Sequence, residues 1–124
     1  MPRILVIDDE ADLRAILRQI LERAGYEVVL ASNGKEGIRH FSEMPADLVI
    51  TDIVMPEKEG IETIMDLKRN FSGVKIIAVS GGGSVGPEKY LSLARALGAS
   101  RTFDKPFSMK ELLRAVRELL EGRA

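Results

Sequence analysis

The chain has no cysteine, which rules out disulfides, thiolate catalysis and thiolate metal sites and leaves the redox compartment open. It also lacks an excess of either charge: eighteen Lys and Arg stand against nineteen Asp and Glu, with an isoelectric point near 5.9. No electrostatic footprint for nucleic acid or an anionic membrane follows, and DNA binding by this chain alone is not expected. No segment approaches ~18 consecutive apolar residues, and the N-terminus opens directly into Ile4-Leu5-Val6-Ile7 without a basic segment followed by a long apolar one. A cytoplasmic protein without a membrane span is the expectation. What is present is 45% apolar residues in 124, at zero mean hydropathy, which suits one domain over residues 1–124 with one hydrophobic core.

The stretch that organises the chain is Asp47-Leu48-Val49-Ile50-Thr51-Asp52-Ile53-Val54-Met55-Pro56. Its apolar run reads as a buried strand that delivers one carboxylate, Asp52, to the strand's carboxyl end, where the chemistry of parallel sheets collects. A first strand over residues 3–7 is followed at once by Asp8-Asp9-Glu10. Leu13, Ile16, Leu17, Ile20, Leu21 and Ala24 then recur as one face of a helix that Gly25 can end in a left-handed cap. Tyr26 to Ala31 reads as strand two, and Asn33 as the N-cap of a short helix containing Ile38 and Phe41, stopped before Pro45. Ile61, Ile64, Met65 and Leu67 mark a third helix, and Val74 to Ser80 a fourth strand. The glycine-rich run Gly81 to Gly86 precedes Pro87, well placed to open a helix that reaches about Leu97 and is closed by Gly98. Ser100 to Phe103 is a short fifth strand; Ser108 with Glu111 makes a capping box for the last helix, and the polar tail from Glu121 is expected to fray.

Strands alternating with helices demand a mostly parallel sheet covered on both faces, because each crossover is right-handed and too long for a hairpin. The expected class is α/β, a doubly wound five-stranded sheet in the order 2-1-3-4-5. That order brings Asp8, Asp9 and Asp52 to one edge, with Ser80 ending the neighbouring strand and Lys105 following the fifth.

Carboxylates gathered at one site repel: two unit charges ~4 Å apart cost roughly 4 kcal/mol at an effective dielectric of 20. Mg²⁺, which takes one or two carboxylates plus a phosphate oxygen and keeps several waters, would relieve this. Asp52 could then act as a nucleophile towards a phosphoryl group, with Lys105 neutralising the transferred oxygens and the Ser80 hydroxyl donating to one of them. The Lys105-Pro106 peptide restricts the backbone where the ammonium must be aimed.

Asp8-Asp9 after strand one, Asp52-Ile53-Val54-Met55-Pro56 with Gly60 after strand three, Ser80 ending strand four and Lys105-Pro106-Phe107 after strand five make the chain resemble a response-regulator receiver domain of two-component signalling, over about residues 3–120. The resemblance implies a flavodoxin-like fold, like the single-domain chemotaxis regulators. It implies that Asp52 accepts a phosphoryl group from a phosphohistidine on a sensor histidine kinase or histidine phosphotransfer protein. Asp9, Asp52 and the Val54 carbonyl would ligate Mg²⁺, Asp8 would orient a water of its shell, and Ser80 and Lys105 would sense the phosphoryl oxygens. The output would be an altered face of the helix after Pro87, strand five and the last helix, met by a partner protein or a second copy. Beyond phosphorylating itself from a donor and slowly losing the group, the chain would not be an enzyme. Many receivers carry an aromatic residue three places before the lysine; Thr102 stands there, and Phe103, one residue later, is expected to point the other way into the core. The Gly81–Gly86 loop is then expected to carry much of the response.

Two other classes compete. A Mg²⁺-dependent phosphohydrolase of the haloacid-dehalogenase type would place its nucleophile after the first strand with a second Asp two residues on, and Asp8-Asp9-Glu10-Ala11-Asp12 lacks that spacing. A phosphate-independent binding module would not need Asp8, Asp9, Asp52, Ser80 and Lys105 together. Taken alone, Asp8-Asp9-Glu10 could be a solvated turn that favours a helix N-terminus, and Ser80 and Lys105 an ordinary strand end and surface lysine. The glycine run has the outer spacing of a phosphate loop, but Pro87 and Glu88 replace its Lys and Ser/Thr. His40, the only histidine, falls on a short helix away from the crevice with an exposed or partly packed role, and Met55 and Met65 read as loop packing and core.

Overall fold

Segments apolar at nearly every position become the middle of one parallel sheet, and segments of helical period cover it. The computed structural model describes residues 1–53, 59–71, 73–80, 92, 94–105 and 107–121. In chain order these hold β1 (Arg3–Ile7), α1 (Ala11–Arg23), β2 (Glu27–Ala31), α2 (Gly34–Glu43), β3 (Leu48–Asp52), α3 (Glu59–Asn70), β4 (Ile76–Ser80), β5 (Arg101–Asp104) and a C-terminal helix, α4 (Met109–Glu121). Ser92 and residues 94–96 are also helical. Met55, Pro56, the Gly81–Gly86 run, Pro87, Pro106 and the tail from Gly122 lie outside the described residues.

The sheet order is β2-β1-β3-β4-β5, all parallel, as the alternation of elements requires. Every residue of β3 and β4 is buried, while the outer strands β2 and β5 are largely half-exposed, as edges with one neighbour must be. Alternation along β1 sends Leu5 and Ile7 to one face, with Phe41, Ile64 and Leu67 of α2 and α3. Ile4 and Val6 go to the other, with Leu17, Leu21, Leu112 and Val116 of α1 and α4. A fully buried Leu or Ile contributes roughly 1.5–3 kcal/mol, so the central strands fix the sheet edge on which the polar residues stand.

Local signals set the helix ends. Asn33 Oδ1 accepts the Glu36 N–H at 2.8 Å, and the Glu36 carboxylate in turn accepts from Ser32 N–H (3.3 Å) and Oγ (3.2 Å). Ser108 Oγ accepts the Glu111 N–H at 3.2 Å, one half of the expected box. After α1, Gly25 takes φ 99°, the left-handed conformation that ends a helix.

Two apolar assignments are corrected. Ile16 and Met65 are 45% and 40% exposed. Leu17 and Leu21 centre the buried face of α1, and Ile64 and Leu67 that of α3; one residue along a helix turns the side chain by about 100°, which carries Ile16 and Met65 to the rim. His40 is half-buried on α2, its Nε2 3.7 Å from Glu36 Oε1.

Candidate phosphoacceptor site

The register brings the carboxyl ends of four strands to one edge, pairing Ile7 with Thr51, Asp52 with Val79 and Ser80 with Asp104. Asp8 leaves β1 with its N–H on Ala31 O (3.1 Å), and its Oδ1 accepts the Glu10 N–H at 2.8 Å, a short Asx turn that folds Asp8-Asp9-Glu10 over the edge. Asp52 ends β3 and is 4% exposed. Lys105 follows β5, its N–H donating to Ser80 O at 2.7 Å, so the lysine backbone is tied to the end of β4.

From there the Lys105 ammonium reaches three carboxylates. Its Nζ lies 2.8 Å from Glu10 Oε1, 3.0 Å from Asp52 Oδ2 and 3.2 Å from Asp8 Oδ2. Asp8, Asp9, Glu10 and Asp52 each offer a carboxylate oxygen, and these lie within 4.8 Å of one another. An all-oxygen set of this kind suits a hard divalent cation. Burial alone would lower the Lys105 pKa, but hydrogen bonds to Glu10 and Asp52, with the charges of Asp52 and Asp8, outweigh it and hold the ammonium above its ordinary value. Burial raises the Asp8 carboxyl above the ordinary range, and the Glu10 N–H and Lys105 pull it back only in part.

Ser80 is fully buried, and its hydroxyl has no hydrogen-bond partner among the described residues. A buried hydroxyl left in this state is costly to the fold. Gly60, in the first turn of α3, lies so close to the Ile53 backbone that any Cβ there would overlap it.

Of the residues read from the sequence, Asp8, Asp9, Asp52 and Lys105 come together, and Ser80 ends the strand beside Asp52. The Val54 carbonyl lies outside the described residues. The sequence marks Glu10 only as part of a turn, yet it makes the shortest of the three contacts to Lys105. Its signal was a third acidic residue in a loop already known to cross the sheet edge. Thr102 Oγ1 accepts from Arg95 Nη2 at 3.0 Å, while Phe103 packs on the α1 and α4 face beside Phe107, ring centroids 5.9 Å apart. A hollow of about 900 Å³, lined by Met1, Phe41, Phe71, Val74, Lys75 and Leu120 among others, opens at the opposite edge of the sheet, away from this chemistry.

A lysine held over clustered carboxylates at the carboxyl edge of a 2-1-3-4-5 sheet defines a phosphoacceptor domain of the aspartate type. A sequence model of the response regulator receiver domain matches residues 4–117, and the chain belongs to that family. It is 34% identical to a chemotaxis protein CheY of Thermotoga maritima over 118 residues, 94% of this chain and 96% of that one. A receiver domain protein from Clostridium thermocellum superposes with a TM-score of 0.89 at 31% identity, covering 98% of this chain and 96% of that one. The response regulator TrrA of Thermotoga maritima, solved in complex with Mg²⁺-BeF, gives 0.84 at 36% identity, covering 97% and 100%. The chain also matches probable transcriptional regulators at 37–39% identity and spans about half their length. Its function is that of a receiver in two-component phosphorelay signalling.

Proposed function

We propose that Asp52 is the residue that takes the phosphoryl group, from a phosphohistidine of a sensor histidine kinase or histidine phosphotransfer protein. The observation that carries this reading is the Lys105 ammonium 3.0 Å from Asp52 Oδ2, inside a carboxylate cluster at the sheet edge. An Asp52 oxygen attacks phosphorus in line, the P–N bond breaks, and its electron pair returns to the histidine ring. Lys105 then exchanges Asp52 for a phosphoryl oxygen, and the Ser80 hydroxyl, without a partner among the described residues, donates to another.

The oxygen donors fit Mg²⁺, which Asp9 and Asp52 would hold together with the Val54 carbonyl, Asp8 orienting a water of its shell; when bound it would offset charge on the transferred oxygens. The chain acts as one receiver domain with a core over residues 3–120, in the cytoplasm, and turns over no external substrate. Among the described residues no helix is long and apolar enough to cross a membrane. Its output is a changed surface beside β5 and α4 that regulates a partner protein or pairs two copies of the chain.

Intact mass after incubation with acetyl phosphate, with and without Mg²⁺, on the wild type and on Asp52→Asn, tests the reading. One added phosphoryl group that needs both Mg²⁺ and Asp52 supports it. Phosphate release without an adduct would favour a phosphohydrolase, and neither adduct nor release a phosphate-independent binding module.

A further inference from the structure

We propose that Glu10 is a positioning residue for phosphoryl transfer, acting through Lys105 rather than through the metal or the donor. This rests on the reading of Asp52 as phosphoacceptor. Lys105 has three donors and spends one on each of Glu10, Asp52 and Asp8. The three acceptors are not alike. Asp8 and Asp52 side chains are 4% exposed and face the crevice, whereas Glu10 is 60% exposed at its lip. When the crevice fills, the acceptors inside it are drawn to the cation and the phosphoryl group, and the ammonium must turn from Asp52 to a phosphoryl oxygen. Glu10 offers an oxygen to the same cluster, but it is the exposed member at the lip, and a cation there would register as a changed Mg²⁺ requirement in its variant.

Local geometry suits Glu10 to the task. It stands at the N-cap of α1, yet its carboxylate makes no capping bond to that helix and remains available to Lys105. Its backbone is fixed by the N–H on Asp8 Oδ1, so the anchor point moves with the Asp8-Asp9 turn. One donor held at the lip aims the other two into the crevice, which shortens the search for the transferred oxygens.

The test follows transfer from acetyl phosphate: an Asp52 oxygen attacks phosphorus and acetate leaves with the bonding pair. Rates are measured by intact mass for wild type, Glu10→Ala, Lys105→Met and the double variant, across a Mg²⁺ series. Glu10→Ala is expected to slow labelling about two- to fivefold, the range of a half-exposed ion pair, with the Mg²⁺ concentration for half-maximal rate unchanged. In the Lys105→Met background the same substitution is expected to change nothing. An equal effect in both backgrounds, a raised Mg²⁺ requirement, or an unchanged Glu10→Ala rate would each overturn the proposal. Absence of Asp52 labelling in the wild type would overturn the phosphoacceptor reading first and this one with it, so the two failures are told apart.

Discussion

Lys105 and Asp52, 53 residues apart in sequence, meet with Nζ 3.0 Å from Oδ2. The contact exists because β3 and β5 flank β4 and both strands end at one edge. In this arrangement the ammonium does part of what a cation would do: it offsets the mutual repulsion of Asp8, Glu10 and Asp52. A divalent ion entering the cluster therefore competes with it for Asp52.

Lys105→Met removes that competitor. Without metal the variant is expected to lose about 1–3 kcal/mol of stability by chemical denaturation, since closely packed carboxylates are left without their counter-charge. With Mg²⁺ the order changes: the metal-induced rise in Tm is expected to be larger in the variant than in the wild type by a few degrees, roughly 1 kcal/mol of extra binding. An equal or smaller rise would mean that the ammonium and the metal do not share acceptors.

Asp8 sets a pH dependence. Its carboxyl is held above the ordinary range by burial, so the folded protein binds that proton more readily than the unfolded chain does. Its contribution to stability is then fully present below the unfolded value of about 3.8 and is lost as pH rises through the folded value. At pH 7 without metal, Asp8→Asn is expected to be more stable than the wild type, and the gain should shrink as pH falls towards 4. Lys105 is also raised, so its contribution is complete below about 10.5 and adds no slope between pH 5 and 9. Paired thermal melts of wild type and Asp8→Asn from pH 4 to 8 read this directly; a variant less stable at pH 7 would refute it.

Gly60→Ala tests how closely the start of α3 is seated against Ile53. Alanine is the better helix former by about 1 kcal/mol, yet its Cβ would overlap the Ile53 backbone, which cannot swing aside as a side chain can. Net destabilisation of about 1–3 kcal/mol is expected, with slower labelling of Asp52. Gly73→Ala is the control, because nothing lies within 4 Å of the position its Cβ would take, and it should leave both unchanged. Urea midpoints for the two variants separate the outcomes.

The fold was legible because its evidence is periodic: apolar runs between helical faces leave few arrangements, and five strand–helix units with right-handed crossovers favour the 2-1-3-4-5 order. Asp8, Asp9, Asp52 and Lys105 were legible because each ends a strand or lies within two residues of its end, so topology places them together. Glu10 was not, since topology brings its backbone to the edge but only its rotamer brings the carboxylate to 2.8 Å from Lys105. Ile16 and Met65 were misjudged for a related reason. An apolar stripe on a helix is wider than the strip its neighbours cover, and the sequence does not mark where the cover ends.

Ser80 separates the needs of the fold from those of the function. Its hydroxyl is fully buried and without a partner among the described residues, although the main chain beside it is well paired through the Lys105 N–H on Ser80 O. A buried hydroxyl left unpaired costs about 1–3 kcal/mol, and alanine removes that cost while leaving only a small void among the β4 neighbours. Ser80→Ala is therefore expected to be as stable as the wild type or more so, by about 1 kcal/mol. Against this, the rise in Tm caused by Mg²⁺ with beryllofluoride, which places fluorines where phosphoryl oxygens would stand, is expected to be smaller in the variant, because one donor to those atoms is gone. Both measurements come from the same melts. A variant that loses stability without ligand would show that the hydroxyl serves the fold, and an undiminished response to beryllofluoride would show that it does not serve the phosphoryl group.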